Sequence, residues 1–215
     1  MLKFLKNILG INNDNRESLS KDALDYLELF STNNSSPKNQ FVVLDTETTG
    51  LDTSKDNIIS FGAVKIQDQK IVLKDSIYLF ILPEKELNKQ EESAIVHGLS
   101  QKEVTDFGIS EYEAAKQILK FISNYTIIAH HAAFDIKMIN NLIYKNLGIK
   151  IKNNSIDTFD LAVKKDFGRL NNVNFNPANY SLDKLLSKYN IPPYDRHNAL
   201  GDSILTAKLF LILTS

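Results

Sequence analysis

The chain has no cysteine. That excludes a disulfide framework and any thiolate metal site. It also fits a reducing compartment, so the expected location is the cytoplasm. Net charge is nearly absent: 25 basic and 26 acidic residues give −1 with histidine neutral. A nucleic-acid binder held by bulk positive charge is excluded, but a local basic rim is not. No apolar run approaches the ~20 residues of a membrane-spanning helix, and no membrane partner is expected. Residues 1–11 carry two lysines and a short apolar pattern without a small-residue cleavage site, so they read as neither a secretion signal nor a transit peptide. Internal repeats are missing too. What is there is 215 residues, 43% hydrophobic and 24% charged, enough for one sizeable domain and an appendage.

The appendage comes first. Leu2, Leu5, Ile8 and Leu9 form one helical stripe; Leu24, Leu27 and Phe30 form another behind a cap at Ser20. A linker rich in serine and asparagine ends at Pro37. Residues 1–36 are therefore an N-terminal helical extension with linker, and 37–215 the main domain. The stripes can dock on the chain's own core, on another subunit or on lipid; polar faces poor in lysine make lipid the weakest choice.

From Gln40 the pattern is β-rich. Residues 41–45, 57–66 and 71–82 read as a three-stranded meander with a tight turn at Asp68-Gln69. Helices are expected at 93–99, 111–123, 134–147, 182–189 and 199–213, with a short strand at 125–129 and a strand running into a helix at 155–161. Gly148 stops the third of these helices. This order argues for an α/β fold, a mixed sheet with helices on its faces.

Chemistry enters at the end of the first strand. Four apolar residues, Phe41 to Leu44, run into Asp45-Thr46-Glu47. In a strand, residues two apart share a face, so Asp45 and Glu47 stand side by side. Burying two like charges is unfavourable unless a cation lies between them. Two further acids sit at element ends. Asp135 follows a strand and small turn residues and opens a helix, where the bland role is to complement the helix dipole. Asp202 interrupts an otherwise apolar helix and so needs a partner. His197 lies five residues before it.

Clustered carboxylates without cysteine match hard, oxygen-seeking cations, Mg²⁺ or Mn²⁺, rather than zinc. Two such ions about 3.5–4 Å apart serve in-line cleavage of phosphodiesters. A neighbouring histidine can take the proton of the attacking water.

With these residues in hand, the chain resembles the DEDD superfamily of 3′–5′ exonucleases in its histidine-bearing (DEDDh) branch, close to the proofreading epsilon subunit of bacterial DNA polymerase III and its free-standing relatives. The likeness spans about residues 40–213. Leu44-Asp45-Thr46-Glu47-Thr48-Thr49-Gly50-Leu51 matches the first motif. Ala129-His130-His131-Ala132-Ala133-Phe134-Asp135 matches the second, and Arg196-His197-Asn198-Ala199-Leu200-Gly201-Asp202 the third. Ile58 to Val64 and Val96-His97-Gly98-Leu99-Ser100 match two further stretches. The resemblance implies a ribonuclease H-like fold with a mixed five-stranded sheet. It implies that Asp45, Glu47, Asp135 and Asp202 hold two metal ions and that His197 is the general base. Thr48, Leu51, Val96, His97 and Phe134 would surround the 3′-terminal nucleotide, and Leu51 and Phe134 can stack on a base without reading it.

Departures exist: His131 stands where the family usually has asparagine, and Ser60 where an acid is common. Asp157 matches a family acid and is expected to be structural or to support the metal ligands from behind. Between 137 and 170, seven basic residues against three acids make a basic excess that could flank the cleft. The expected activity is 3′–5′ hydrolysis of single-stranded DNA, releasing nucleoside 5′-monophosphates, in proofreading or repair. An exoribonuclease would use the same metal site, with discrimination left to the 2′-hydroxyl. A non-catalytic nucleic-acid-binding subunit has no physical need of four clustered acids. The chain ends two residues past its last expected helix, so a free-standing nuclease, or one docked on a polymerase or a second copy through residues 1–36, is expected.

Overall fold

A computed structural model describes residues 19–31, 36–84, 101–171 and 173–215. The first amphipathic stripe, the helix expected at 93–99, Val96 and His97 lie outside the described residues. The strands are β1 (Gln40–Thr48), β2 (Ile58–Gln67), β3 (Lys70–Leu82), β4 (Ile109–Ser110), β5 (Thr126–Ala129) and β6 (Ser155–Asp157). The helices are α1 (Lys21–Glu28), α2 (Gln101–Phe107), α3 (Glu111–Ile122), α4 (Ala132–Leu147), α5 (Thr158–Phe167), α6 (Leu182–Lys188) and α7 (Ala199–Thr214).

The sheet order is β4-β3-β2-β1-β5-β6. β2 runs against both β1 and β3, while β5 is parallel to β1, β6 to β5 and β4 to β3. The sheet is mixed, as expected, but has six strands rather than five. The sixth, β4, is two residues long and exists by pairing with the end of β3, a contact that hydrophobic periodicity does not register. Asp68 (φ 46°) and Gln69 (φ 62°) make the left-handed two-residue turn between β2 and β3.

The two faces of the sheet bury different partners. Val42, Leu44, Ile127 and Ala129 pack with α3 and α4 in the main core, which also takes Ala23, Tyr26 and Leu27 of α1. Val43, Val64, Ile66 and Ile128 pack on Ala207 and Phe210 of α7. Alternation along β1 therefore sends Thr46 toward α4, and Asp45 and Glu47 toward α7. A third cluster, built on Ala162, Leu185, Leu205 and Leu209, ties α5 and α6 to α7. None of the described helices is long and apolar enough to cross a membrane.

Candidate active site

The site begins at the close approach of α7 to β2. Gly62 pairs with Asp45 across the sheet. A Cβ at Gly62 would collide with the backbone of Ala199 and Leu200, so this glycine lets the first turn of α7 rest on the strand. Asn198 caps α7: its Oδ1 accepts the N–H of Gly201 at 2.7 Å. The result places Asp202 opposite Asp45 and Glu47. One oxygen from each of Asp45, Glu47 and Asp202 lies within 4.8 Å of the others.

Asp135 stands beside this group rather than inside it. It is buried in the first turn of α4, and Thr46 Oγ1 donates to its Oδ1 at 2.7 Å. Asp45 still feels its charge. The structure thus brings three of the four expected acids into one cluster and sets the fourth beside it, on Thr46. His197 is exposed on the loop before α7, in the left-handed region at φ 67°. Leu51 has 86% of its surface exposed. The turn that carries it is held by Asp56, whose carboxylate accepts from Thr49 Oγ1 (3.0 Å) and the Asp52 N–H (2.7 Å). Thr48 is half-buried and donates to the Gly50 carbonyl at 2.7 Å. Phe134 is half-buried against the main core.

The electrostatics are those of crowded, sheltered acids. Burial pushes Glu47 up to about 7, with Asp202 adding to the effect and Arg196 opposing it. Burial also holds Asp45 well above the usual carboxylate range, aided by Asp135, Asp202 and Glu47. Asp135 is raised to about 7 by burial despite the hydrogen bond from Thr46. Anions held under such strain call for a positive charge. Asp202 Oδ1 is buried and has no hydrogen-bond partner. Three converging carboxylates, one of them with an orphaned oxygen, are a donor set suited to a hard divalent cation, and the residues present fit one.

Sequence reasoning did not single out Arg196 or Thr46. Arg196 Nη1 contacts Asp202 Oδ2, and its Nε donates to Asp183 Oδ1 at 2.7 Å. The only sequence signal was its place beside His197; its partners lie six residues downstream and on another helix. Asp157 proves structural, as expected. Its carboxylate accepts from the N–H groups of His131 (3.0 Å), Ala132 (2.9 Å) and Phe159 (2.9 Å), capping α4 and α5 together. His130 is buried with Nδ1 2.9 Å from Thr158 Oγ1, and burial pushes it down to about 4. The expected basic rim is partly spent elsewhere. Lys145 is paired with Glu84 and Glu111, and Lys165 donates to carbonyls at the far end of α7.

A mixed sheet with acids at the end of its central strand, faced by the start of a C-terminal helix, defines the ribonuclease H-like nuclease class. The Exonuclease (RNase_T) family model matches residues 42–210, and the chain belongs to that family. It is 38% identical over 171 residues to the PolC-type DNA polymerase III of Thermotoga petrophila, covering 80% of this chain and 12% of that protein. The chain therefore spans about an eighth of the length of the PolC relatives it matches. It is 33% identical over 180 residues to the DNA polymerase III subunit epsilon of Rickettsia typhi, covering 80% of this chain and 73% of that subunit. E. coli exonuclease I, solved in complex with a dT13 oligonucleotide, superposes with a TM-score of 0.68 at 18% identity over 83% of this chain and 41% of that one. At that identity the likeness bears on the fold.

Proposed function

We propose that this protein is a divalent-metal-dependent 3′–5′ exonuclease that shortens single-stranded DNA and releases nucleoside 5′-monophosphates, in proofreading or repair in the cytoplasm. The observation that carries the reading is the convergence of Asp45, Glu47 and Asp202, with Oδ1 of Asp202 buried and unpartnered. Asp45, Glu47, Asp135 and Asp202 would hold two Mg²⁺ or Mn²⁺ ions. When bound, such ions activate water and stabilise charge on phosphoryl oxygens. The protein's own residues orient the rest. Leu51 offers an uncovered apolar surface, and Phe134 a ring, to the 3′-terminal base. By the family likeness, Thr48, Val96 and His97 would be the remaining contacts of that nucleotide. His197, exposed before α7, takes the proton of the water that attacks the phosphorus. The P–O3′ bond breaks, leaving a 3′-hydroxyl on the shortened strand. Residues 37–215 would form the exonuclease domain and 1–36 its extension; α1 rests on the chain's own core, and docking on a polymerase or a second copy would fall to the rest of 1–36.

The test is cleavage of 5′-labelled single-stranded DNA, duplex DNA and RNA with Mg²⁺ or Mn²⁺. Laddering from the 3′ end of single-stranded DNA is expected. Asp45→Ala and His197→Ala should each lower the rate by about 10²-fold or more. RNA cleaved ahead of DNA would reassign the substrate. No cleavage of any substrate with either ion would overturn the enzyme reading.

A further inference from the structure

The loop between α6 and α7 is built around one cation. Asp195 (φ 53°) and His197 (φ 67°), on either side of Arg196, both occupy the left-handed region that favours glycine. Such a conformation persists only where surrounding contacts over-determine it. Arg196 supplies them. Its side chain is 17% exposed and bridges two helices, with Nε on Asp183 Oδ1 of α6 at 2.7 Å and Nη1 on Asp202 Oδ2 of α7. The same Oδ2 accepts the backbone N–H of His197 at 3.3 Å. Asn198 Nδ2 closes the loop onto the Asp195 carbonyl at 3.0 Å. A Cβ at Gly201 would strike the Asp195 backbone, so the loop also lies directly on the first turn of α7.

The two oxygens of Asp202 consequently have different fates. Oδ2 is taken by Arg196 and by the backbone of His197, while Oδ1 is buried and unpartnered. On the nuclease reading above, we propose that Arg196 is a positioning residue: it fixes Asp202 Oδ2 so that only Oδ1 is offered to a divalent cation, and it holds the strained loop that presents His197 to the same site. A guanidinium suits this task because its planar fork reaches two carboxylates at once, which an ammonium does not match. Orientation by an outer partner is worth about ten- to a hundredfold in metal affinity or activity at comparable sites.

Charge and geometry predict opposite signs. If Arg196 acted only as a positive charge beside four acids, its removal would strengthen cation binding. If it positions Asp202, removal weakens binding. Mn²⁺ binding to the metal-free full chain, followed by paramagnetic resonance, separates the two without any turnover. Arg196→Ala should weaken Mn²⁺ binding by about tenfold or more. It should also lower kcat on single-stranded DNA by about ten- to a hundredfold while KM moves less than about threefold, since the ground-state contacts of the strand are untouched. Arg196→Lys should recover part of both losses. Asp183→Asn, a change at an exposed carboxylate, should shift both in the same direction by less. Mn²⁺ bound by Arg196→Ala as tightly as by the parent chain, or more tightly, overturns the proposal. Should Arg196→Ala lack a cooperative melt, unchanged Mn²⁺ affinity in Asp183→Asn overturns it instead. A parent chain that cleaves nothing removes the nuclease reading, and the Mn²⁺ comparison still decides the role of Arg196.

Discussion

Glu47 and Asp135 are carboxyls raised to about 7 by burial, and Asp45 is raised by burial and by its acidic neighbours. In the unfolded chain such groups titrate near 4. Between about 4 and 7 the folded state therefore binds more protons than the unfolded one. Their contribution is fully present at low pH and is lost as pH rises through 7. A divalent cation replaces the protons as the compensating charge. Melting in chelator should therefore fall in temperature from pH 5.5 to pH 8, and Mg²⁺ or Mn²⁺ should raise it at pH 8 far more than at pH 5.5. A metal-free melt indifferent to pH would mean the acids are better solvated than their burial implies. Asp45 and Glu47 were legible in the sequence because strand alternation is local. Thr46 as the partner of Asp135 was not, because the two are 89 positions apart and only the sheet brings them together.

At the level of elements, the site depends on how closely α7 approaches β2. The helix itself was readable: Ala199 to Leu213 is apolar but for a few positions, and one of these is Asp202. Its seat was not readable, although Gly62 stood in a stretch already matched to the family. Only the packed sheet reveals that a glycine there clears the backbone of Ala199 and Leu200. Gly62→Ala would drive a methyl group into backbone that cannot rotate away, an overpacking loss of about 1–3 kcal/mol. The main core, on the other face of the sheet, would persist. The expected result is a folded protein with α7 displaced, in which a divalent cation no longer raises the melting temperature and cleavage falls by at least about tenfold. Gly168→Ala is the control. It ends α5 at φ 70° with nothing near its Cβ position, so it should lose about 1 kcal/mol of stability and keep the full metal response. If Gly62→Ala keeps that response too, the close approach is not what aligns Asp202. The two-residue β4 shows the opposite limit of sequence reading, since no window that short carries a period.

Across the whole molecule, the N-terminal segment is more than an attachment to a finished core. Ala23, Tyr26 and Leu27 of α1 are buried in the same cluster as the sheet and α3. Tyr26 Oη donates to Asn153 Oδ1 at 2.6 Å and accepts the Lys152 N–H at 2.7 Å. Asn153 in turn donates to the carbonyls of Ser123 and Tyr125, at the turn between α3 and β5. One tyrosine thus links α1 to the loop before β6 and, through it, to the end of α3. Of the stripe read from the sequence, Leu27 is buried and Phe30 packs on the core, but the buried face is completed by Ala23 and Tyr26 rather than Leu24, and a stripe does not say what it faces. Removing only the hydroxyl, Tyr26→Phe, takes their Tyr26 partner from Asn153 Oδ1 and the Lys152 N–H and should lose about 1–2 kcal/mol. For a domain of this size that is about 2–4 °C per kcal/mol of melting temperature. Deleting residues 1–36 removes the three buried side chains of α1 and should lower the melting temperature further than Tyr26→Phe does. Because α1 packs chiefly on α3 and the loop before β6, neither of which carries a proposed metal ligand or His197, cleavage by the shortened chain, measured well below its melt, should stay within about twofold of the full chain. A deletion that melts like the parent would show that α1 adds nothing to the core it touches. One that melts lower and also loses cleavage would instead tie residues 1–36 to the site itself.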